Sequence, residues 1–376
     1  MGTVAVSGQA VRDQLELNAD ELRLLFRVHD PAASPLSSEA MAAAAVAMRH
    51  ANENVSPEAV SGQTVEPSPY GPVVFLDRVG EDADNSHWLG AFADRLTAEG
   101  WSGTLEPAPQ PPSSYLPGGL QQGLGTTLFA ALPLTPDPPR GITATWGPPR
   151  WSVDEAATSE LCRELVAWGS TPGADVRLET GRTRLHVDGD EVTDPLTWSV
   201  THDYRAAATY VDAGAPALRR IAFAPWGQVT AQVVDGGADW RSRVDALREP
   251  LQQAAPEVAF LRTTHRIVGS WLDLNTVPPE LPFVPEVEVR LHRGLWNRYL
   301  PDVHGIQVLT SAHLEGVGDL SGWTVQTIGP GRHLVEARDL EPWFAGDEPD
   351  PRVLTEAREV FAGVLFTPEV VNAPGW

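Results

Sequence analysis

The chain has 376 residues, with 50 acidic side chains against 27 basic ones and a formal net charge of −23. All 27 basic residues are arginines, which excludes reactions that depend on a lysine amine, such as Schiff-base formation or phosphate binding by a P-loop lysine. The acidic surplus argues against nucleic acids and anionic membranes as ligands, and it suits a basic protein partner.

The cellular compartment is predicted from cysteine content and hydropathy. A lone cysteine, Cys162, forms no intrachain disulfide and no cysteine metal cluster. The first residues lack the basic and apolar regions of a signal peptide, and no run of 18 apolar residues occurs. We therefore expect a cytoplasmic protein. The absence of lysine has two open explanations, which are GC-rich codon usage and selection against modification of amines.

Residues 1–66 are predicted to form a helical N-terminal segment that ends in a linker. Asn18 is a good N-cap residue, and the apolar run 22–28 would continue the helix that it begins. A second, alanine-rich helix is expected to start after Ser37 or Ser38. The prolines and glycines that follow this helix indicate the linker.

Residues 67–212 are predicted to form a first α+β module, in which a period of two residues indicates strands and a period of 3.6 indicates helices. Cys162 lies beside the apolar face of one helix and is expected to be a small buried hydrophobe. The Asp188-Gly189 pair is typical of a hairpin turn within antiparallel sheet. The elements in chain order are a strand over 72–79, a helix over 86–100, a strand over 101–107, a proline-rich loop over 108–125, strands over 126–134 and 141–146, a helix capped by Ser152, and strands on both sides of residue 188.

Residues 213–376 are predicted to form a second module of the same kind. Asp350 and Pro351 suit the start of its last helix, since aspartate is a favoured N-cap and proline a favoured first residue. The earlier elements are strands over 219–227 and 228–235, helices over 237–251 and 263–275, and strands over 285–291, 305–310, 322–329 and 332–340. The pattern as a whole predicts an α+β fold of mainly antiparallel sheets with packed helices, in two α/β modules behind the N-terminal segment.

The segment from 290 to 304 has the composition of a binding site. Arginine with tryptophan and tyrosine is enriched at protein interfaces and in pockets for anions. The binding candidates are Arg290, Arg293, Trp296, Arg298 and Tyr299.

The same segment contains candidates for catalysis. These are His292, Asp302 and His304, provided that the three side chains converge in one cleft. The alternative is that the aromatic side chains of the segment pack into the core and that its arginines pair with acidic neighbours.

Two short patterns place potential metal ligands on alternate residues. They are His186-x-Asp188-x-Asp190 and Asp302-x-His304, and alternate side chains of a strand point to the same side. The first pattern coincides with the predicted turn, where aspartate and glycine are expected for the turn itself. Nucleotide-binding motifs are absent, and we predict neither a metal site nor a cofactor.

Three hypotheses for function follow. The first is a non-enzymatic protein-binding module from a GC-rich bacterium, of inhibitor, immunity or sequestering type. The second is an enzyme that acts on an anionic small molecule through the histidine, arginine and aspartate groups of 290–304. The third is a structural component of a larger assembly. The sequence leaves the oligomeric state open.

Overall fold

The structure is a computed structural model, and it describes most of the chain. The described residues are 3–11, 22–29, 37–56, 60–78, 81–109, 125–131, 135–136, 151–152, 154–181, 183–202, 205–212, 217–224, 227–235, 239–264 and 296–371. The proline-rich loop over 110–124, the predicted strands over 141–146 and 285–291, and most of the predicted helix over 263–275 lie outside these residues.

The described residues form strands and helices in mixed order, and the predicted α+β class is confirmed. The strands are β1 (Val4–Val6), β2 (Leu22–Val28), β3 (Ser61–Glu66), β4 (Val73–Arg78), β5 (Gly103–Pro107), β6 (Gly125–Ala131), β7 (Thr135–Pro136), β8 (Trp151–Ser152), β9 (Asp175–Thr180), β10 (Thr183–Val187), β11 (Ala206–Val211), β12 (Ala217–Ala224), β13 (Gln228–Asp235), β14 (Val258–Thr264), β15 (Ile306–Thr310), β16 (Trp323–Gly329) and β17 (Arg332–Ala337).

The helices alternate with these strands along the chain. They are α1 (Ser38–Asn54), α2 (Asp82–Ala98), α3 (Glu155–Gly169), α4 (Thr193–Thr201), α5 (Trp240–Ala246), α6 (Arg248–Gln253), α7 (Ser311–Gly316), α8 (Glu341–Phe344), α9 (Pro351–Val360) and α10 (Pro368–Val371). Short 3₁₀ turns occur at Gly189–Glu191 and Ala362–Val364.

The contacts between residues divide the chain into two compact units. Unit 1 consists of residues 1–113 and 177–202, and unit 2 consists of residues 114–176 and 203–376. The boundaries predicted from the sequence, at residues 66 and 212, fall inside these units. That the segments between these boundaries fold independently stays a prediction.

Unit 1 contains a five-stranded sheet in the order β1-β5-β2-β4-β3. The β1–β5 pair is parallel and the other pairs are antiparallel. Helices α1 and α2 pack together against one face, where Leu24 and Phe26 of β2 meet the buried side chains of both helices. The opposite face carries a smaller apolar cluster around Leu25 and Phe75.

Strand β2 corrects the prediction that residues 22–28 continue a helix. The run LRLLFRV lies in the middle of the sheet, so both of its faces are buried and its apolar residues do not alternate. A short continuous apolar run fits a buried helix and a central strand equally well. Pairing with β4 and β5 decides between them here. The N-terminal segment is therefore partly a sheet rather than wholly helical.

Asn52 links helices α1 and α2 to the sheet of unit 1. Its amide nitrogen donates to the carbonyl of Gly62 at 2.8 Å, and its Oδ1 accepts from the Gly62 N–H at 2.9 Å and from Trp88 Nε1 at 2.8 Å. Trp88 is fully buried. A Cβ on Gly62 would lie 2.7 Å from Met48 Cγ and 2.9 Å from the Trp88 ring, so glycine is required where strand and helices approach.

Unit 2 contains eight strands side by side in the order β11-β12-β13-β6-β14-β15-β17-β16, and every pair is antiparallel. Helix α3 contacts β11 and β12, and α5 contacts β13 and β6. The predicted buried hydrophobe Cys162 has no exposed surface, which confirms that prediction.

Helix α1 begins at the predicted cap, since Ser37 accepts from the Ala40 N–H, and α9 begins at the predicted Asp350-Pro351 pair. Helix α3 begins two residues later than predicted. Its cap is Asp154, which accepts from the Ala157 N–H at 2.7 Å, and not Ser152, which belongs to β8.

The turn predicted at Asp188-Gly189 is also wrong. Residues 189–191 form a 3₁₀ turn and lead into α4. The turn between β9 and β10 is made instead by Gly181, whose φ of 56° is left-handed and suits glycine.

The helix predicted over 237–251 is divided at Leu247 into α5 and α6. Pro250 explains the break, because it has no N–H to donate to the carbonyl of Ala246 and its ring clashes with a continuous helix. That carbonyl accepts instead from Trp168 Nε1 at 2.8 Å, so the break also anchors α3.

Candidate functional site

Trp296 lies in the core of unit 2 and not at an exposed binding surface. Its side chain is 1% exposed and belongs to an apolar cluster with Phe129, Ala131, Phe260 and Phe366. This position corrects the expectation that Trp296 anchors a partner. Burying an aromatic ring between β6, β14 and Phe366 removes a large apolar surface from water, which stabilises the fold more than an exposed ring would.

The other binding candidates divide between the described and the remaining residues. Tyr299 is half-buried, with its ring edge-on to Phe366 at 6.1 Å, and Arg298 is exposed. The candidates Arg290 and Arg293, and the catalytic candidate His292, lie outside the described residues. Of the five binding candidates, Arg298 is thus the one that the structure shows to be exposed, and Tyr299 is partly accessible.

Asp302 holds helix α9 in place. Its two carboxylate oxygens accept from Arg358 Nε at 2.9 Å and Nη2 at 2.6 Å, and Oδ1 also accepts from the Val303 N–H. Burial is the largest single influence on the pKa of Asp302 and raises it, but the hydrogen bonds from Arg358, the neighbouring charges and the Val303 N–H together outweigh burial and hold the pKa below its usual value. A carboxylate engaged in a bidentate ion pair is poorly placed to accept a substrate proton.

His304 is buried beside this ion pair, with its ring stacked on Phe260 at 4.0 Å between ring centres. Burial lowers its pKa to about 3, and the nearby charge of Asp302 acts in the opposite direction. The ring is therefore neutral near pH 7, and its position within the core gives it a packing role. The structure thus brings Asp302 and His304 close together, but the first is held in an ion pair and the second is packed in the core.

The metal-ligand patterns do not assemble into a site among the described residues. Asp188 is exposed at the start of the 3₁₀ turn, and Asp302 is engaged by Arg358. Within the ranges that the structure describes, no group of three or more histidine, cysteine, aspartate or glutamate side chains could hold an ion.

Sequence reasoning missed a buried polar network on the sheet of unit 2. Thr127 and Thr264 share a hydrogen bond of 2.8 Å between their hydroxyls, and Gln232 donates to Thr264 at 2.9 Å. In the next strands, Arg220 donates to the Thr209 hydroxyl at 2.6 Å. All five side chains are at least nine-tenths buried. Gln232 occupies one of the alternating polar positions of β13, a pattern that sequence alone assigns to a solvent-facing side.

Among the described residues, the most exposed large apolar side chains belong to strand β16, at the edge of the sheet of unit 2. Among the described strands its only neighbour is β17. Val325 is 45% exposed and Ile328 is 38% exposed, and they are the two exposed large hydrophobic side chains of the described residues. The strand has the sequence WTVQTIG, without one charged residue.

Edge strands with these properties are uncommon because they can pair with other chains. Natural edges are usually protected by charged side chains, by proline or by a bulge. Strand β16 has one such device, a shift of register between Thr327 and Gly329. Around it, residues 311–350 include eight acidic side chains and two arginines.

None of the described helices is long and apolar enough to cross a membrane. No protein-family model matches the chain, and no curated protein does so either.

Proposed function

We propose that this protein is a non-enzymatic protein-binding module, and that strand β16 is the element that receives the partner. The observation that carries the proposal is the coincidence, on one uncharged edge strand, of both exposed large hydrophobic side chains of the described residues. Addition of a partner strand to such an edge is a common mode of peptide recognition.

The backbone of β16 would supply affinity and its side chains would supply selectivity. An added strand hydrogen-bonds the outer N–H and C=O groups of the edge, while its alternate side chains contact those of β16. Val325 lies directly opposite the buried Val335 of β17, so apolar side chains of the partner would extend an existing apolar row.

The partner is expected to be an extended segment rich in basic residues. The chain has a net charge of −23, and the part that contains β16 has six more acidic than basic side chains. An acidic surface attracts a basic segment at long range and disfavours an acidic one. Inhibition or sequestration of a basic protein would follow from this kind of contact.

A synthetic octapeptide tests the proposal directly. Its sequence alternates arginine with valine, its ends are blocked, and its binding is measured by fluorescence anisotropy. We expect binding that weakens with salt, together with slower hydrogen exchange at the amides of β16. The same peptide with glutamate in place of arginine should bind at least about tenfold more weakly.

A double substitution, Val325→Ser with Ile328→Ser, removes the apolar contact without adding charge. We expect about a tenfold loss of affinity for the basic peptide. The matched control is Val317→Ser, at a half-exposed valine in the loop after α7, which should bind as the wild type does. Equal binding by the double variant would refute the proposal. So would a wild-type dimer that the double variant abolishes, because the occupant would then be a second copy.

A further inference from the structure

Unit 2 has a cavity of about 240 Å³ between its sheet and helix α5. Six of its lining residues supply the chemistry, namely Tyr210, Asp212, Ala217, Arg219, Asp235 and Arg243. Tyr210 and Arg243 are buried in its floor, whereas Asp212 is exposed at its mouth. A cavity of 150 Å³ holds benzene, so this one has room for a ligand of roughly ten non-hydrogen atoms.

Strand register arranges these side chains in two rows. Tyr210 and Arg219 are direct cross-strand neighbours, which places them on the same face of the sheet. The second row lies two residues further along each strand. There, Asp212 donates its N–H to the Ala217 carbonyl, and Ala217 pairs with Asp235. The rows are about 7 Å apart, and the small Ala217 leaves space between the two carboxylates.

Arg219 is held in a fixed position at this cavity. Its guanidinium lies 5.3 Å from the centre of the Trp168 ring, and Nη1 donates to the Trp168 carbonyl. Trp168 is in turn anchored by the hydrogen bond that its Nε1 donates to the Ala246 carbonyl. This carbonyl has no helical N–H partner, because the residue four positions on is Pro250. A guanidinium has five N–H donors in a planar fork, so this arrangement leaves a preorganised fork that can bind a carboxylate.

The Tyr210 hydroxyl is the second polar group of the floor. The side chain is 1% exposed, and its ring packs on Gly169, where a Cβ would lie 2.5 Å from the ring. The hydroxyl lies beside Ser170 but makes no hydrogen bond of standard geometry. A buried hydroxyl without a satisfied bond costs free energy, which a ligand that accepts from it would recover.

We propose that this cavity binds a small zwitterionic amino carboxylic acid, with its carboxylate on Arg219 and Tyr210 and its ammonium group toward Asp212 and Asp235. The four charged side chains are two arginines and two aspartates, so a ligand without net charge keeps the cavity neutral. A dianion such as phosphate would place excess negative charge beside two carboxylates.

The probes are the twenty proteinogenic L-amino acids and γ-aminobutyrate, each titrated into the full chain by calorimetry. We expect at least one of them to bind with a Kd below about 1 mM. The decarboxylated amine and the deaminated acid of that probe should each bind about tenfold or more weakly, because each lacks one charge-assisted hydrogen bond. If no probe binds, the proposal is wrong.

Two variants locate the binding. Arg219→Met removes the fork and should abolish binding, whereas Arg241→Gln should bind as the wild type does. Arg241 is a matched control on α5, exposed and stacked on Trp240, outside the cavity lining. Binding that persists in Arg219→Met would overturn the proposal, since the ligand would then occupy another place.

Tyr210→Phe separates loss of the ligand from loss of the fold. It removes only the hydroxyl, so we expect an unchanged or higher melting temperature without ligand, together with severalfold weaker binding. Ala217→Val fills the space between the carboxylates in a residue type that strands accept, and it should also weaken binding. Wild-type affinity in both variants would contradict the assigned position of the ligand.

Discussion

Acidification should destabilise unit 2 through two buried histidines. Burial lowers the pKa of His304 to about 3 and that of His313 to about 4. A hydrogen bond with the backbone of Tyr299 acts on His313 in the opposite direction and raises its pKa. His313 Nδ1 accepts from the Thr310 N–H at 3.1 Å, so a proton there would break a helix cap. Both rings are therefore neutral in the folded state and take up protons mainly on unfolding.

The sign and size of the effect follow from proton linkage. The pKa in the folded state is below that of the unfolded chain, about 6.5, so the stabilisation is complete above pH 6.5 and is lost as the pH falls toward the folded values. Between pH 7 and pH 5 each ring costs about 2 kcal/mol of unfolding free energy. The sum, about 4 kcal/mol, is large beside a typical total stability of 5–15 kcal/mol.

Two substitutions isolate these contributions. His304→Phe keeps an aromatic ring stacked on Phe260 but cannot be protonated, and His313→Gln keeps a residue type that closes a capping box with Thr310. Urea unfolding at pH 7 and pH 5, with hydrogen exchange of β15 amides to identify unit 2, measures the loss. Each variant should lose about 2 kcal/mol less than the wild type between these pH values.

The control is His333→Gln, at a half-exposed ring on β17 that bonds Ser311 and Thr327. It should show the same loss of stability on acidification as the wild type. If His304→Phe and His313→Gln also lose as much as the wild type, the two rings are not the groups that take up protons on unfolding, and the reasoning fails.

Three further substitutions test single polar contacts, each by urea unfolding at pH 7. Asn52→Ala should cost about 2–3 kcal/mol, because the buried N–H of Trp88 and two backbone groups lose their partner. Arg358→Met should cost about 1–2 kcal/mol, since Asp302 would lose its bidentate partner, although partial exposure of the pair limits the effect. Thr264→Val keeps the shape of the side chain but removes two hydroxyl bonds, with an expected cost of about 1–2 kcal/mol. Changes below about 0.5 kcal/mol would count against the role assigned to each contact.

Local chemistry was enough to predict several parts of the fold. The caps at Ser37 and Asp350, the buried position of Cys162 and the strands β16 and β17 depend on side chains close together in the chain. A cap needs only one oxygen within reach of the next turn, and alternation along a strand indicates its two faces. For these features the sequence contains the deciding contacts.

The misassigned elements depend on distant contacts. The run 22–28 is a strand because β4 and β5 pair with it, which a single stretch of sequence cannot reveal. Likewise, alternation along β13 does not reveal that Gln232, which is 1% exposed, lies within a polar network. The break at Pro250 does not depend on distant contacts. A proline within a helix predicts such a break, and the prediction of one continuous helix over 237–251 did not take Pro250 into account.

The candidate sites show the same division. From composition alone the sequence excludes lysine chemistry and leaves arginine as the cation for recognition, and it marks 290–304 as unusual. Only the tertiary structure places Trp296 in the core, exposes Val325 on an edge strand, and brings Tyr210 and Arg219 to one cavity. The physical reason is that burial and cross-strand pairing belong to residues far apart in the chain, whereas composition and capping are local.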